Sequence, residues 1–199
     1  MAESIFRAEG GGFVPTEQAR GPWDPGALHG GAPAALITTA FERHEPLEGA
    51  HIARLGFEFL RPIPFAPLTV AVRTLRPGRR VQELAAELHA GEQLICRASA
   101  LRVAEVPPGL PGRPPAGERM PGPEQGEPVH FAREEDVGSD SFAASAMEMR
   151  WLDDPRALGP GRVWMRLRHP LVDAVQAGPL ARLAATADFG NGIAAALPA

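Results

Sequence analysis

Apolar positions along this chain recur with two different periods, and the alternation between them predicts the elements. Over 53–60 the residues Ala53, Leu55, Phe57 and Phe59 fall on one side, with Arg54, Gly56 and Glu58 on the other. That is the two-residue period of a half-buried strand. LTVAVRTL (68–75) and LICRASALRV (94–103) repeat it, and the Pro-Gly of RPGRR (76–80) turns the chain. VQELAAELH (81–89) is compatible with helix, but its place between two strong strands predicts a third strand in an antiparallel meander. Before these strands, GGAPAALITTAFERH (30–44) predicts a helix. Pro33 suits its first turn, and small residues (Ala34, Ala35, Thr38, Thr39, Ala40) permit close packing.

The second half begins with the same kinds of segment. SFAASAMEMRW (141–151) predicts a strand. RVWMRLRH (162–169) alternates Val163, Met165, Leu167 and His169 against Arg162, Trp164, Arg166 and Arg168. From Pro179 onward PLARLAATADFGNGI predicts a second small-residue helix. Between the halves, Glu105 to Pro128 is dense in Pro and Gly, which excludes helix and central strand. The organisation expected is a first unit over 1–104, a linker over 105–128 and a second unit over 129–199. The fold class is α+β, one sheet packed on one helix. Two Ala/Gly-rich helices imply an internal repeat, but no meander follows the second helix before residue 199. The second copy is expected to be incomplete, with one apolar side and one sheet edge to be covered by another chain or by the first sheet.

Composition narrows the classes. The 199 residues carry a net charge of −4, which gives no electrostatic reason to expect nucleic acid. Every cation is arginine, and lysine and tyrosine are absent. Cys96 is the sole cysteine, so no internal disulfide forms and a reducing compartment fits. The N-terminus lacks the pattern of a signal peptide, and no apolar run is long enough to span a bilayer. The expectation is a cytoplasmic protein without membrane attachment. Six dispersed histidines match no metal-ligand spacing, and no cofactor is implied.

Several motifs together carry a resemblance: GPWDPGALHGGAPAALITTAFER, ARLGFEFLRPIPFAPLTVAVRTLRPGRRVQELAAEL, VWMRLRHPLV and ADFGNGI. The chain resembles the acyl-CoA thioesterase-like proteins of double hotdog fold, akin to the thioesterase II family. The resemblance implies an antiparallel sheet wrapped around a central helix, with one complete copy and a partial second. It implies hydrolysis of acyl-CoA thioesters to free acid and CoA, a place in fatty acid metabolism, and acyl-CoA as the partner of a homo-oligomer. In thioesterase II members an Asp on the second hotdog helix works with a Thr and a Gln from later strands. Asp188 matches the Asp, and the strands for the other two have no counterpart up to residue 199.

The residues themselves offer further chemistry. A carboxylate in a segment as apolar as that around Asp188 needs a partner, water, or a raised pKa suited to base catalysis. The Phe-Gly-Asn-Gly that follows can equally end the helix and leave Asp188 in a turn. His29, Gly30 and Gly31 precede the first helix, where free backbone N–H groups hold an oxyanion or a phosphate. Those glycines serve equally to let the helix enter the sheet. Arg76, Arg79 and Arg80 at the 76–80 turn suit the phosphates of CoA, or form a solvated turn. The alternative function is a catalytically impaired hotdog that binds acyl-CoA or acts as a scaffold. Hydratase chemistry would need an Asp–His pair, and no histidine is near Asp188 in sequence. Asp-Phe-Gly also occurs in protein kinases, but no Gly-rich loop or strand lysine accompanies it here.

Overall fold

The computed structural model describes residues 3–105, 117, 120–129, 141–155, 157 and 159–193. Most of the 105–128 segment therefore lies outside the described residues.

The first helix, α1 (Gly31–Arg43), lies against a six-stranded antiparallel sheet. In chain order the strands are β1 (Phe6–Glu9), β2 (Gly12–Pro15), β3 (Ala50–Phe59), β4 (Leu68–Arg76), β5 (Val81–Ala90) and β6 (Gln93–Ala104). All four strands predicted in this half are present. The spatial order β1-β2-β4-β5-β6-β3 corrects the meander, because β3 pairs with β6 and not with β4. Alternation reports which face of a strand is buried and says nothing about its neighbour. A register shift at Ala53 also turns that residue outward, so Ile52, Leu55 and Phe57 are the half-buried side of β3. β1 and β2 form a hairpin unforeseen from the sequence. Gly10 and Gly11 turn it at φ of 58° and 81°, a backbone region that glycine enters without steric cost.

Nine of the thirteen α1 residues are buried. Thr38 and Thr39 remain satisfied inside by donating to the carbonyls of Ala34 and Ala35 at 2.7 and 3.0 Å. The C-terminal end of α1 is closed by Arg102 of β6, which is 4% exposed. Its guanidinium donates to the carbonyls of Phe41 and His44 at 2.8 Å each, of Glu45 at 2.9 Å, and to Gln82 Oε1 at 3.0 Å. A buried cation is tolerated there because it meets orphan carbonyls and the negative end of the helix dipole.

In the second half, Phe142–Ala146 form a π-helical turn, where the sequence predicted strand. Ser141 caps it by accepting from the Ala144 N–H at 3.1 Å, which offers this Ala/Ser run an alternative to a ladder. β8 (Met147–Trp151) and β9 (Val163–Leu167) follow, and β7 (Glu127–Pro128) completes a three-stranded sheet in the order β7-β8-β9. Met147, Met149, Trp151 and Leu167 bury the inner face of this small sheet. On its outer face Glu148 binds Arg150 at 3.0 Å and Arg166 Nε at 3.0 Å, and the Trp164 indole donates to the Pro121 carbonyl at 2.8 Å. α2 (Pro179–Ala187) and the single turn α3 (Gly190–Ile193) end the described chain. α2 runs antiparallel beside α1, with Gly31 against Ala185 at one end and Gly178 against Glu42 at the other. One hydrophobic cluster joins both halves, from Ile5 and Phe6 through α1 to Met149, Ala185 and Phe189.

Candidate active site

The start of α1 and the end of α2 meet at four of the residues singled out from the sequence. Asp188 lies just past the last turn of α2, in the break before Phe189. The structure thus selects the turn position over the helical one. Its Oδ2 is 3.3 Å from His29 Nδ1, a contact between residues far apart in sequence. The His29 side chain is 10% exposed and that of Asp188 45%, so the pair has a buried member and one open to water.

Glycine is required here by contact. A Cβ on Gly30 would lie 2.8 Å from Asp188 Oδ2, and a Cβ on Gly31 would lie 2.4 Å from the Ala185 carbonyl oxygen. At Gly31 the obstacle is backbone, so the two helices approach this closely only because it has no Cβ; at Gly30 the obstacle is the Asp188 side chain. Two aromatic rings fix the imidazole. Phe189 stacks on His29 with centroids 4.5 Å apart, and Phe142 lies at 5.0 Å. Phe142 is held by its N–H to the Arg20 carbonyl at 2.9 Å. Behind it, Ser145 donates to Gln18 Oε1 at 2.6 Å. Neither ring was foreseen as part of the site, although Phe189 directly follows Asp188.

Burial pulls the His29 pKa below its ordinary value, and the nearby Asp188 carboxylate opposes that in part. The imidazole is therefore neutral at pH 7. Its Nδ1 also lies 3.1 Å from the Gly31 N–H, from which it accepts when bare. One nitrogen cannot serve both neighbours together. Bare, it accepts from the Gly31 N–H; protonated, it donates to Asp188. Burial pushes the Cys96 thiol up to about 11, so it stays protonated at neutral pH and is a poor nucleophile.

Arg76, Arg79 and Arg80 do not join this cluster. They line an open concavity at the β4–β5 hairpin tip. That tip lies toward the other end of α1, where His44 Nε2 meets Thr74 Oγ1 at 3.2 Å. A helix of thirteen residues separates the two places by about 20 Å. Among the described residues no group of three or more His, Cys, Asp or Glu side chains is arranged to hold a metal, and no helix is long and apolar enough to cross a membrane.

Comparison with known proteins bears on this geometry. Residues 19–103 match the sequence profile described as the acyl-CoA thioesterase N-terminal domain. No curated protein matches the sequence. Among solved structures, a conserved hotdog-fold protein of unknown function from Alicyclobacillus acidocaldarius superposes with a TM-score of 0.67 at 17% identity, over 97% of this chain and 70% of its own. The tesB protein of Mycobacterium avium subspecies paratuberculosis gives 0.61 at 17% identity, over 98% and 72%. A protein provisionally named thioesterase II from Thermobifida fusca gives 0.60 at 18% identity, over 99% and 70%. About 30% of each of these longer chains thus lies outside the match. The profile match covers α1 and β3 to β6, and the likeness in structure extends through β8, β9 and α2. Residues 19–103 are thus similar to an acyl-CoA thioesterase N-terminal domain, and the chain as a whole has the hotdog fold.

Proposed function

We propose that the protein hydrolyses acyl-CoA thioesters to free acid and CoA, with Asp188 as the residue that orients and deprotonates water. The observation that carries this reading is the meeting of Asp188, His29 and the Gly30–Gly31 start of α1 in one place. A water bound to the Asp188 carboxylate gives up a proton to it as its oxygen bonds to the thioester carbonyl carbon. Negative charge then develops on the carbonyl oxygen, where the Gly31 N–H at the start of α1 and the positive end of the helix dipole can meet it. Collapse of the adduct breaks the C–S bond. CoA leaves as the thiolate and takes the proton from Asp188, which restores the site.

His29 positions the carboxylate. When its Nδ1 is protonated it binds Asp188 and leaves the Gly31 amide free for the substrate oxygen. For Arg76, Arg79 and Arg80 to meet the CoA phosphates, the ligand must lie along α1 over about 20 Å. The same Asp–His pair also meets the requirement of hydratase chemistry, in which it would add water across an enoyl-CoA double bond.

The test is turnover of a panel of acyl-CoA and enoyl-CoA substrates by the 199-residue chain. Asp188→Asn is expected to lower acyl-CoA turnover by about 10²- to 10⁴-fold without unfolding the chain. Unchanged activity in that variant rejects the role of Asp188. Saturable acyl-CoA binding without hydrolysis favours the impaired binding module, and hydration of enoyl-CoA alone favours the hydratase.

A further inference from the structure

Two consecutive carbonyls hold the candidate histidine and the ring that lies against it. The Ala19 carbonyl accepts the His29 N–H at 3.0 Å, and the Arg20 carbonyl accepts the Phe142 N–H at 2.9 Å. His29 and Phe142 therefore leave the backbone from places set by one short segment, and their ring centroids lie 5.0 Å apart.

Gln18, the residue before these carbonyls, adds a side-chain tie. It is 4% exposed, and its N–H is held at 3.2 Å by the hydroxyl oxygen of Thr16, which caps the 3-10 turn Glu17–Ala19. Its Oε1 accepts the Ser145 hydroxyl at 2.6 Å, a contact between residues 127 positions apart. The Ser145 oxygen in turn accepts the Ser141 N–H at 3.1 Å. Ser141 and Ser145 bracket the start and end of the π-helical turn that carries Phe142. Such turns are rare and recur at functional sites. A buried amide and hydroxyl are costly to leave unpaired, so the tie pins the turn and with it the angle of the Phe142 ring. The charged group acting on His29 is Asp188, from the end of α2. The Arg20 guanidinium is turned to Glu17 at 2.6 Å and to the Phe65 ring at 4.2 Å.

We infer that Gln18 is a positioning residue for His29: through Ser145 it holds the turn that seats Phe142 against the imidazole. With the ring seated, the imidazole is shielded from water and its Nδ1 stays within reach of Gly31 and Asp188. With the tie cut, the ring loosens, water reaches the imidazole, and its charged form becomes easier to reach. The consequence for hydrolysis rests on the reading of Asp188 as the base; the seating of the ring does not.

The experiment follows the carbon-bound ring protons of His29 by nuclear magnetic resonance on the full chain from pH 8 to 5, with the signal assigned by its loss in His29→Asn. Gln18→Met removes the amide at similar length, and Ser145→Ala removes the hydroxyl. Each is expected to move the His29 midpoint upward, toward the ordinary histidine value, and the double variant no further than either alone. Ile95→Val, a core change in β6, is expected to leave the midpoint in place, which separates positioning from loss of stability. A moved midpoint in chains that hydrolyse no acyl-CoA upholds the seating and rejects the proposed activity. An unmoved midpoint in the two single variants overturns the inference, as does a double variant that shifts by their sum or an equal shift in Ile95→Val. Should Gln18→Met fail to fold by circular dichroism, Ser145→Ala against Ser145→Thr decides. A midpoint restored by the threonine hydroxyl upholds the tie, and equal midpoints overturn it.

Discussion

α1 and α2 are built from similar residues and live in different surroundings. Both follow a glycine, both have a proline in the first turn, and both are rich in alanine. α1 is buried on nearly every side, because the six-stranded sheet lies along it and α2 closes much of what remains. In α2 only Ala181, Ala184 and Ala185 are buried, the stripe that touches α1, while Leu183 is 64% exposed. The stripe has the i, i+3, i+4 spacing of a helix with one partner. Small residues let these helices approach, but the amount of sheet around each decides how much stability its side chains supply.

Paired substitutions can break that comparison. Phe41→Ala in α1 removes a fully buried ring and is expected to cost about 3 to 5 kcal/mol in urea unfolding. Leu183→Ala in α2 is expected to stay within about 0.5 kcal/mol. A large loss at Leu183 would show that the outer face of α2 is covered in solution. A smaller contrast comes from two glycines. Gly31→Ala drives a methyl into the Ala185 carbonyl and is expected to cost about 1 to 3 kcal/mol, whereas a Cβ at Gly190 meets nothing within 4 Å. Gly190→Ala should be neutral or stabilising by about 0.5 kcal/mol. Equal losses at both sites would mean that the helices are not in close contact.

The smallest effect is in pH. His29 has a folded pKa below its unfolded value, so the unfolded chain binds the proton more readily. Its contribution is fully present above about pH 6.5 and is lost as pH falls from there toward the folded value. Asp188→Asn removes the influence that raises this pKa, so the acid-side loss should extend to lower pH. Thermal melts from pH 8 to 5 of wild type, Asp188→Asn and His29→Asn measure it, and the slope assigned to His29 should vanish in the last variant.

Much of the framework was legible in the sequence, because a strand with one buried face must alternate. Leu84, Ala86 and Leu88 mark β5 in this way although the same segment suits a helix. The pairing of β3 with β6 was hidden, since local pattern carries no information about partners. The β1–β2 hairpin was missed despite a signal, the run Gly10-Gly11-Gly12 between Phe6 and Phe13. Within the site, Asp188 and His29 were each visible as an anomaly, a charge in an apolar helix and a histidine before two glycines. Their meeting was not, because it depends on the crossing of two helices at Gly31. Nor could the sequence show that Arg76, Arg79 and Arg80 lie toward the far end of α1, which follows from the length of β4.

The sharing of His29 Nδ1 between Gly31 and Asp188 has a spectroscopic consequence. An amide proton that loses its acceptor moves upfield, so the Gly31 resonance should follow the protonation of the imidazole directly. Titration of that single glycine peak would read the state of the pair without substrate, label or substitution. Ligands that engage the carboxylate would announce themselves at an amide they never touch.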